Sequence, residues 1–585
     1  MALTAGDWVI IVAYFALNLA LGFYFKRQAE RGLSEFFVSG RSAPWWLAGT
    51  SMVATTFAPD TPLGLTGLVV RNGIAGYWWN WSFALGTMLT AVVFAQLWQR
   101  CGVLTDVEFT ELRYAGKPAA FLRVFRSLYF ALPVNCLIMG WVNLAMVKIL
   151  MLVLDVDKAG AIAVVAGLIG ITSLTSTLAG LRGVLVADLV QFVLMMGMAL
   201  AQEVFAVQGV GGLDALTRQV IQADGAAARL HFLPEPDSPW LPMVTFLVYA
   251  GMNWWVSWKP SGAVDGSGYI AQRMLAARDE RNSLLAALWF NLSQYVLRPW
   301  PWILVALVSA VAFPGLEDPE SGYILVMLRY LPPWLRGLML AGFTAAFMST
   351  ISTHLNWGAS YLVNDVYRRF IRPQASERRL VHASRMATLL LTALSVAVTY
   401  SMDSISGAWK LLVVLGAGTG TVVILRWFWW RVNAWSEIAA MTAAAAVSIY
   451  LQLGRGLDTS DPQDFASLML ITVPATVAVW LAVTFCTPPE PLDRLLAFYR
   501  RVRPYPALWG PVAAAAPEVA VGSLRRDLLN WAAGCGLIYG LLFGTGKVLL
   551  DWGLAGGLLL ALAGLSAFHL WRRLLRPAHT GVSSL

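Results

Sequence analysis

What most limits the folding of this chain is a recurrence of apolar stretches about as long as a bilayer is thick. They fall at 7–26, 44–70, 74–100, 125–154, 158–180, 184–208, 240–258, 284–313, 335–365, 383–402, 408–430, 434–453, 466–486, 529–550 and 553–573. An α-helix needs about 20 apolar residues to cross a hydrocarbon core of about 30 Å. Transmembrane β-strands would be about ten residues long and alternate in polarity, whereas these runs are apolar all round. The expected class is an all-α polytopic membrane protein with about 15 transmembrane helices. Composition agrees: 58% of residues are hydrophobic and 13% charged, against about 45–50% and about 25% in soluble domains.

The net charge of +9 does not point to nucleic acid, because the basic residues cluster in short loops between apolar runs. Alternate loops carry Lys26, Arg27 and Arg31; Arg113, Lys117, Arg123 and Arg126; Arg182; Arg273, Arg278 and Arg281; Arg368, Arg369 and Arg372; Arg494, Arg500, Arg501 and Arg503. The opposite loops are acidic or nearly bare, with Asp155, Asp157, Glu317, Glu320, Asp403 and Asp551. Basic loops face the cytoplasm, so the N-terminus is expected outside and the C-terminus, with Arg572, Arg573 and Arg576, inside. A bacterial inner (plasma) membrane is the expected location. The first run lacks a basic leader and a cleavage site and reads as a retained span. Cys101, Cys136, Cys486 and Cys535 are scattered and read as packing residues.

The second run cannot easily form one continuous helix. Pro59 and Pro62 each remove a backbone donor, and Asp60 lies between them near mid-membrane. Freed carbonyls and an unpaired acid are costly in lipid and persist where the backbone lines a cavity; transporters place ion and substrate sites at such breaks. The plainer reading is a proline kink with Asp60 tied to a neighbouring donor. In the ninth run Ser349, Ser352 and Thr353 stand at i, i+3 and i+4 and share a face, with Thr350 beside them. Hydroxyls and freed carbonyls suit a hard cation such as sodium, although each hydroxyl alone could bond back to its own helix. Asp188 reaches a comparable depth as a cation ligand, or pairs with Arg182 one turn away.

Several segments carry a family resemblance. They are Ser39-Gly-Arg-Ser-Ala-Pro-Trp-Trp, Leu104-Thr-Asp-Val-Glu-Phe-Thr-Glu-Leu-Arg-Tyr, Ala179-Gly-Leu-Arg-Gly-Val-Leu-Val-Ala-Asp-Leu-Val-Gln, Tyr269-Ile-Ala-Gln-Arg and Ala346-Phe-Met-Ser-Thr through Asn364-Asp-Val-Tyr. In this order and spacing the chain resembles the sodium/solute symporter (SSS) family over roughly 8–485. The resemblance implies a five-plus-five inverted-repeat core of the leucine-transporter type. The divisions would be an extra helix and loop at 1–43, a first repeat at 44–208, an external loop at 209–239 and a second repeat at 240–431. Two extra helices follow at 432–486, a cytoplasmic segment at 487–528, and two C-terminal helices with a tail at 529–585. It also implies one sodium held by carbonyls of Ala54, Phe57 and Ala346 with the hydroxyls of Ser349 and Thr350, and in some members a second held by Asp188, Ser349, Ser352 and Thr353. The chain departs from the family's sugar carriers at Asp60-Thr61, where they have Glu-Gln, and at Trp258-Lys-Pro-Ser-Gly.

A midplane solute cavity is expected between Asp60 and Thr61, the aromatic stretch Trp78, Trp79 and Asn80, and Asn253 with Trp254. Aromatic faces with few polar groups suit a sugar, nucleoside or amine, and Asp60 can pair with a cation. Trp78 and Trp79 also fit an interfacial belt. Arg298 is expected to snorkel to the surface more than to bind a carboxylate, and His354 and His569 to be satisfied packing residues. The expected function is sodium-coupled symport of a small polar organic solute by alternating access, coupled to one or two Na+. The alternatives are proton coupling through Asp60 or Asp188, or a transporter-like sensor. No Walker motif, His/Glu metal motif or nucleophile–base pair suggests ATP use or an enzyme. The partners expected are the solute and the lipid bilayer, with a homodimer left open.

Overall fold

The computed structural model describes residues 5–29, 31–224, 227–236, 238, 241–256, 263–402, 405–520, 522–550 and 553–575. Asp403, Asp551, Arg576, Trp258 to Gly262 and parts of the 209–239 loop lie outside them, as do the side chains of Lys26 and Arg27. Every apolar run is helical. Ten helices among the described residues are long and apolar enough to cross a membrane; the first, second, fifth, seventh and eleventh runs hold shorter or interrupted ones. In chain order the helices are α1 (Ala5–Ala29), α2 (Trp45–Thr56), α3 (Asp60–Asn72), α4 (Ile74–Cys101), α5 (Gly116–Leu154), α6 (Lys158–Leu174) and α7 (Gly180–Gly209). There follow α8 (Met243–Gly251), α9 (Asn253–Val256), α10 (Tyr269–Ala276), α11 (Glu280–Ala312), α12 (Pro333–Ile371), α13 (Glu377–Tyr400), α14 (Ile405–Leu415) and α15 (Thr419–Phe428). The last are α16 (Ala434–Gly454), α17 (Pro462–Cys486), α18 (Leu524–Leu550) and α19 (Leu554–Leu574).

The first run of each expected repeat is interrupted. α2 stops at Thr56, Phe57 adopts φ −99° and ψ 60°, and α3 restarts at Asp60. Pro59 and Pro62 fall at the start of α3, where backbone N–H groups lack intrahelical partners anyway, so they open a new helix more readily than they kink an old one. The first run of the second expected repeat is interrupted more mildly and without a proline, by a turn at Met252 between α8 and the single turn of α9. α9 abuts a third interruption, between α14 and α15: the Gly418 N–H donates to Val256 O at 2.8 Å. A Cβ on Gly420 would lie 1.9 Å from Trp255 O, so a glycine lets these two backbones touch.

α2 packs against α7, α11 and α12, which places the break at the centre of the molecule. The last two helices pair with each other and cover α4, where Trp531 Nε1 donates to Leu85 O at 2.8 Å and the Tyr539 hydroxyl to Trp81 O at 2.8 Å.

The basic residues divide into two sets. Arg278, Arg281, Arg369, Arg372, Arg494, Arg500, Arg501 and Arg503 are exposed, as loop cations should be. Arg113, Arg123, Arg126 and Arg273, assigned to loops by their position, are instead buried. Arg123 pairs with Asp365 and Glu111 at 2.6 Å each, Arg126 pairs with Glu437, and Arg113 donates to the carbonyls of Arg426 (2.9 Å) and Val432 (3.1 Å). A buried guanidinium is costly unless paired or hydrogen-bonded; Arg123 and Arg126 are ion-paired, whereas Arg113 relies on backbone carbonyls and leaves one nitrogen without a partner.

Candidate functional site

The site grows out of the missing donor at Pro59. In a continuous helix the carbonyl of Thr55 would accept from the N–H of residue 59, which proline lacks. Here Thr55 O accepts instead from the hydroxyl of Thr350 on α12, at 2.9 Å. One position away in space, the Thr55 and Thr353 hydroxyls meet at 3.0 Å. The hydroxyl face of α12 therefore lies directly against the end of α2. Ala54 O accepts from the Phe57 N–H at 3.0 Å, closing the last turn before the break. Ala54, Phe57, Ala346, Ser349 and Thr350 are all buried.

Asp188 joins this cluster from α7. Its carboxylate accepts from the Ser349 hydroxyl at 2.7 Å and from the Ser51 hydroxyl. Its cationic neighbour is not Arg182 but Arg273 of α10, whose guanidinium lies 4.0 Å away, both side chains being fully buried. Arg273 also donates to the Thr353 hydroxyl at 2.6 Å and to Ser51 Oγ at 3.2 Å. Ser352 bonds back to Ser349 O at 3.0 Å. The acid and alcohols expected to form a second cation set are thus brought together, but around a resident guanidinium.

Arg298 does not snorkel; it is fully buried. Its guanidinium donates to Thr56 O at 2.7 Å and to the Thr56 hydroxyl at 2.9 Å, and also bonds Gln294. The rings of Phe57 and Trp302 flank it at 4.5 and 4.7 Å. It replaces, at the break, donors that a continuous helix would have supplied. No local signal distinguishes it from an arginine at a span end, since the carbonyl it serves is 242 residues away in sequence.

Beside the break opens a cavity of about 130 Å³. Of the expected solute residues, Asp60, Thr61, Trp79 and Asn80 line it. Trp78, Asn253 and Trp254 do not. Trp78 is no interfacial belt residue either: its indole donates to Phe232 O at 2.7 Å and its ring packs on Phe246 and on Tyr539 of α18. Asn253 is buried near Trp79 O and Ser82 Oγ, at 3.4 and 3.5 Å, and Trp254 packs against Trp531. The rest of the wall, including Trp141, Tyr269, Gln294, Tyr295 and Trp409, comes from α5, α10, α11 and α14, where an aromatic in an apolar run looks like any other core residue. His354 also lines it and is held by Asn135 at 2.6 Å; His569 meets Asn530 at 3.1 Å.

Thr55, Thr56 and Thr350 line the cavity as well as the break, so a cation held at the break would share side chains with a solute in the cavity. That adjacency lets the binding of one depend on the other.

The model of the sodium:solute symporter family matches residues 36–443. The sodium/glucose cotransporter of Vibrio parahaemolyticus is 23% identical over 501 residues, covering 81% of this chain and 89% of the relative. The sodium/mannose cotransporter of Bos taurus is 25% identical over 503 residues, covering 76% and 78%. A solved structure of a Na+-coupled sialic acid symporter, in a substrate-bound outward-open state, superposes with a TM-score of 0.68 at 19% identity, covering 83% of this chain and 99% of that one. At that identity the likeness shows the fold: an all-α polytopic membrane protein with the inverted-repeat core of the leucine-transporter type.

Proposed function

This chain belongs to the sodium:solute symporter family, and from that premise we propose that it is a sodium-coupled symporter of a small polar organic solute, working by alternating access. The observation that carries the reading is the Thr350 hydroxyl against the carbonyl that Pro59 orphans, at 2.9 Å. A small hard cation takes oxygen ligands, and carbonyls of an interrupted helix with alcohols of a facing one provide them without a full negative charge.

We assign one sodium ion, to the carbonyls of Ala54, Phe57 and Ala346 and the hydroxyls of Ser349 and Thr350. The second set, Asp188, Ser349, Ser352 and Thr353, is already engaged: Arg273 faces the acid and donates to Thr353, and Ser352 bonds its own helix. A second cation would have to lie beside a buried guanidinium, with Coulomb repulsion of about 4 kcal/mol at 4 Å and an effective dielectric near 20. The solute occupies the cavity lined by Asp60, Thr61, Trp79 and Asn80. The exposed basic loops support a cytoplasmic C-terminus and an outside N-terminus.

The test is a thermal-shift screen of the purified protein against sugars, nucleosides, amino acids and carboxylates, in sodium and in potassium, followed by uptake of the best hit into proteoliposomes. Stabilisation and uptake should need sodium. Uptake driven by a pH gradient in sodium-free buffer would overturn the reading in favour of proton coupling.

A further inference from the structure

Asp60 is the one acidic side chain among the described residues that line the cavity, and no lysine or arginine lines it. The carboxylate is buried, 5% exposed, and its Oδ1 has no hydrogen-bond partner. A buried, unsatisfied ionised oxygen costs several kcal/mol unless something compensates it. Asp60 is the first residue of α3, so the positive end of the helix dipole falls on it; Trp409, Arg298 and the like-charged Glu320 are near enough to interact with it. Arg298 makes no ion pair with it among the described residues: its two terminal nitrogens go to Thr56 and Gln294 and its faces to Phe57 and Trp302, while its Nε is left without a partner.

The same cavity is lined by the aromatic side chains of Trp79, Trp141, Tyr269, Tyr295 and Trp409. Indole and phenol rings attract a cation over their faces, more strongly when water is excluded. A carboxylate with an open acceptor inside an aromatic enclosure complements one chemical group above others. We infer that the solute carries a positively charged head, an amine or quaternary ammonium, seated beside Asp60 among the aromatic side chains of Trp79, Trp141 and Trp409. At about 130 Å³ the cavity is small beside the roughly 300–1,000 Å³ of drug-sized pockets, so the solute is a small one. A carboxylate-bearing solute would meet Asp60 with no lining cation to offset it. This inference rests on the cavity being the solute site of a sodium symporter.

The experiment titrates ethanolamine, choline, the neutral carbon analogue of choline, 3,3-dimethylbutan-1-ol, and glucose into the full-length protein in detergent, in saturating sodium. Intrinsic tryptophan fluorescence and thermal shift are the readouts. At least one ammonium compound should bind saturably, and at least tenfold more tightly than the neutral analogue. Asp60→Asn, monodisperse by gel filtration, should lose at least tenfold in affinity. Trp409→Leu, which keeps the acid, should lose about threefold to tenfold. Equal binding of the analogue, an unchanged Asp60→Asn, or binding of glucose alone would overturn the inference. The sodium dependence of stability in the absence of any solute reads the parent assignment separately: sodium stabilisation without ammonium binding removes only the solute class, whereas no response to sodium removes both.

Discussion

Replacing Asp188 by Asn should destabilise the protein for a reason unrelated to sodium. The change keeps the shape of the side chain and leaves an oxygen for one of the two hydroxyls, Ser51 or Ser349, that now donate to it. It removes the carboxylate that faces Arg273 at 4.0 Å, in a place where both side chains are fully buried. Breaking a buried pair from one side costs about 3–5 kcal/mol, because the remaining charge is left uncompensated, while removing both partners together is far cheaper. Asp188→Asn and Arg273→Met should therefore each lower stability, the first by about 3–5 kcal/mol. The double variant should recover about 2–4 kcal/mol relative to the sum of the singles, the coupling expected for side chains in contact. Denaturant titration of the four proteins in one detergent, without sodium, gives the cycle. Because Asp188 is not assigned to the sodium site, the double variant should also keep its sodium-induced thermal shift. Additive single effects would refute the pairing. Recovered stability with an abolished sodium response would refute the assignment of a single sodium to the break.

Two further substitutions probe the parts that hold the break open. Arg298→Met keeps the length of the side chain but leaves Thr56 O with only the Thr61 hydroxyl at 3.2 Å; the loss should be about 2–3 kcal/mol and should weaken sodium binding, checked by the midpoint of the sodium-dependent thermal shift. Gly420→Ala puts a Cβ where Trp255 O lies 1.9 Å away, and overpacking against backbone should cost about 1–3 kcal/mol or more; Gly167→Ala, with nothing within 4 Å of its added Cβ, should express and melt like the parent.

The helical runs and the first break are legible in the sequence because their causes are local. Hydropathy over about 20 residues and a missing N–H at Pro59 need no knowledge of neighbours. The hydroxyl face of Ser349, Thr350 and Thr353 is likewise readable, since helical spacing alone aligns it. Arg273 and Arg298 are not, because an arginine near the end of an apolar run has the same local sequence whether it meets solvent, an acid on another helix or a carbonyl at a break. The aromatic wall fails for a related reason. Trp78 and Trp79 are neighbours in sequence, yet Trp79 faces the cavity and Trp78 faces α18, and only the packing of the C-terminal pair separates their roles. Trp141 and Trp409 enter the cavity from runs in which nothing local sets them apart from other core aromatics.

The central claim is that a helix interrupted before Pro59 and the alcohols of α12 together bind sodium. The most direct measurement is equilibrium binding of radioactive sodium to the purified protein without solute, comparing the parent with Ser349→Ala/Thr350→Val. The parent should bind one ion per chain saturably and the variant should bind at least tenfold more weakly, while still running as a single species on gel filtration. Unchanged sodium affinity in a folded double variant would contradict the account.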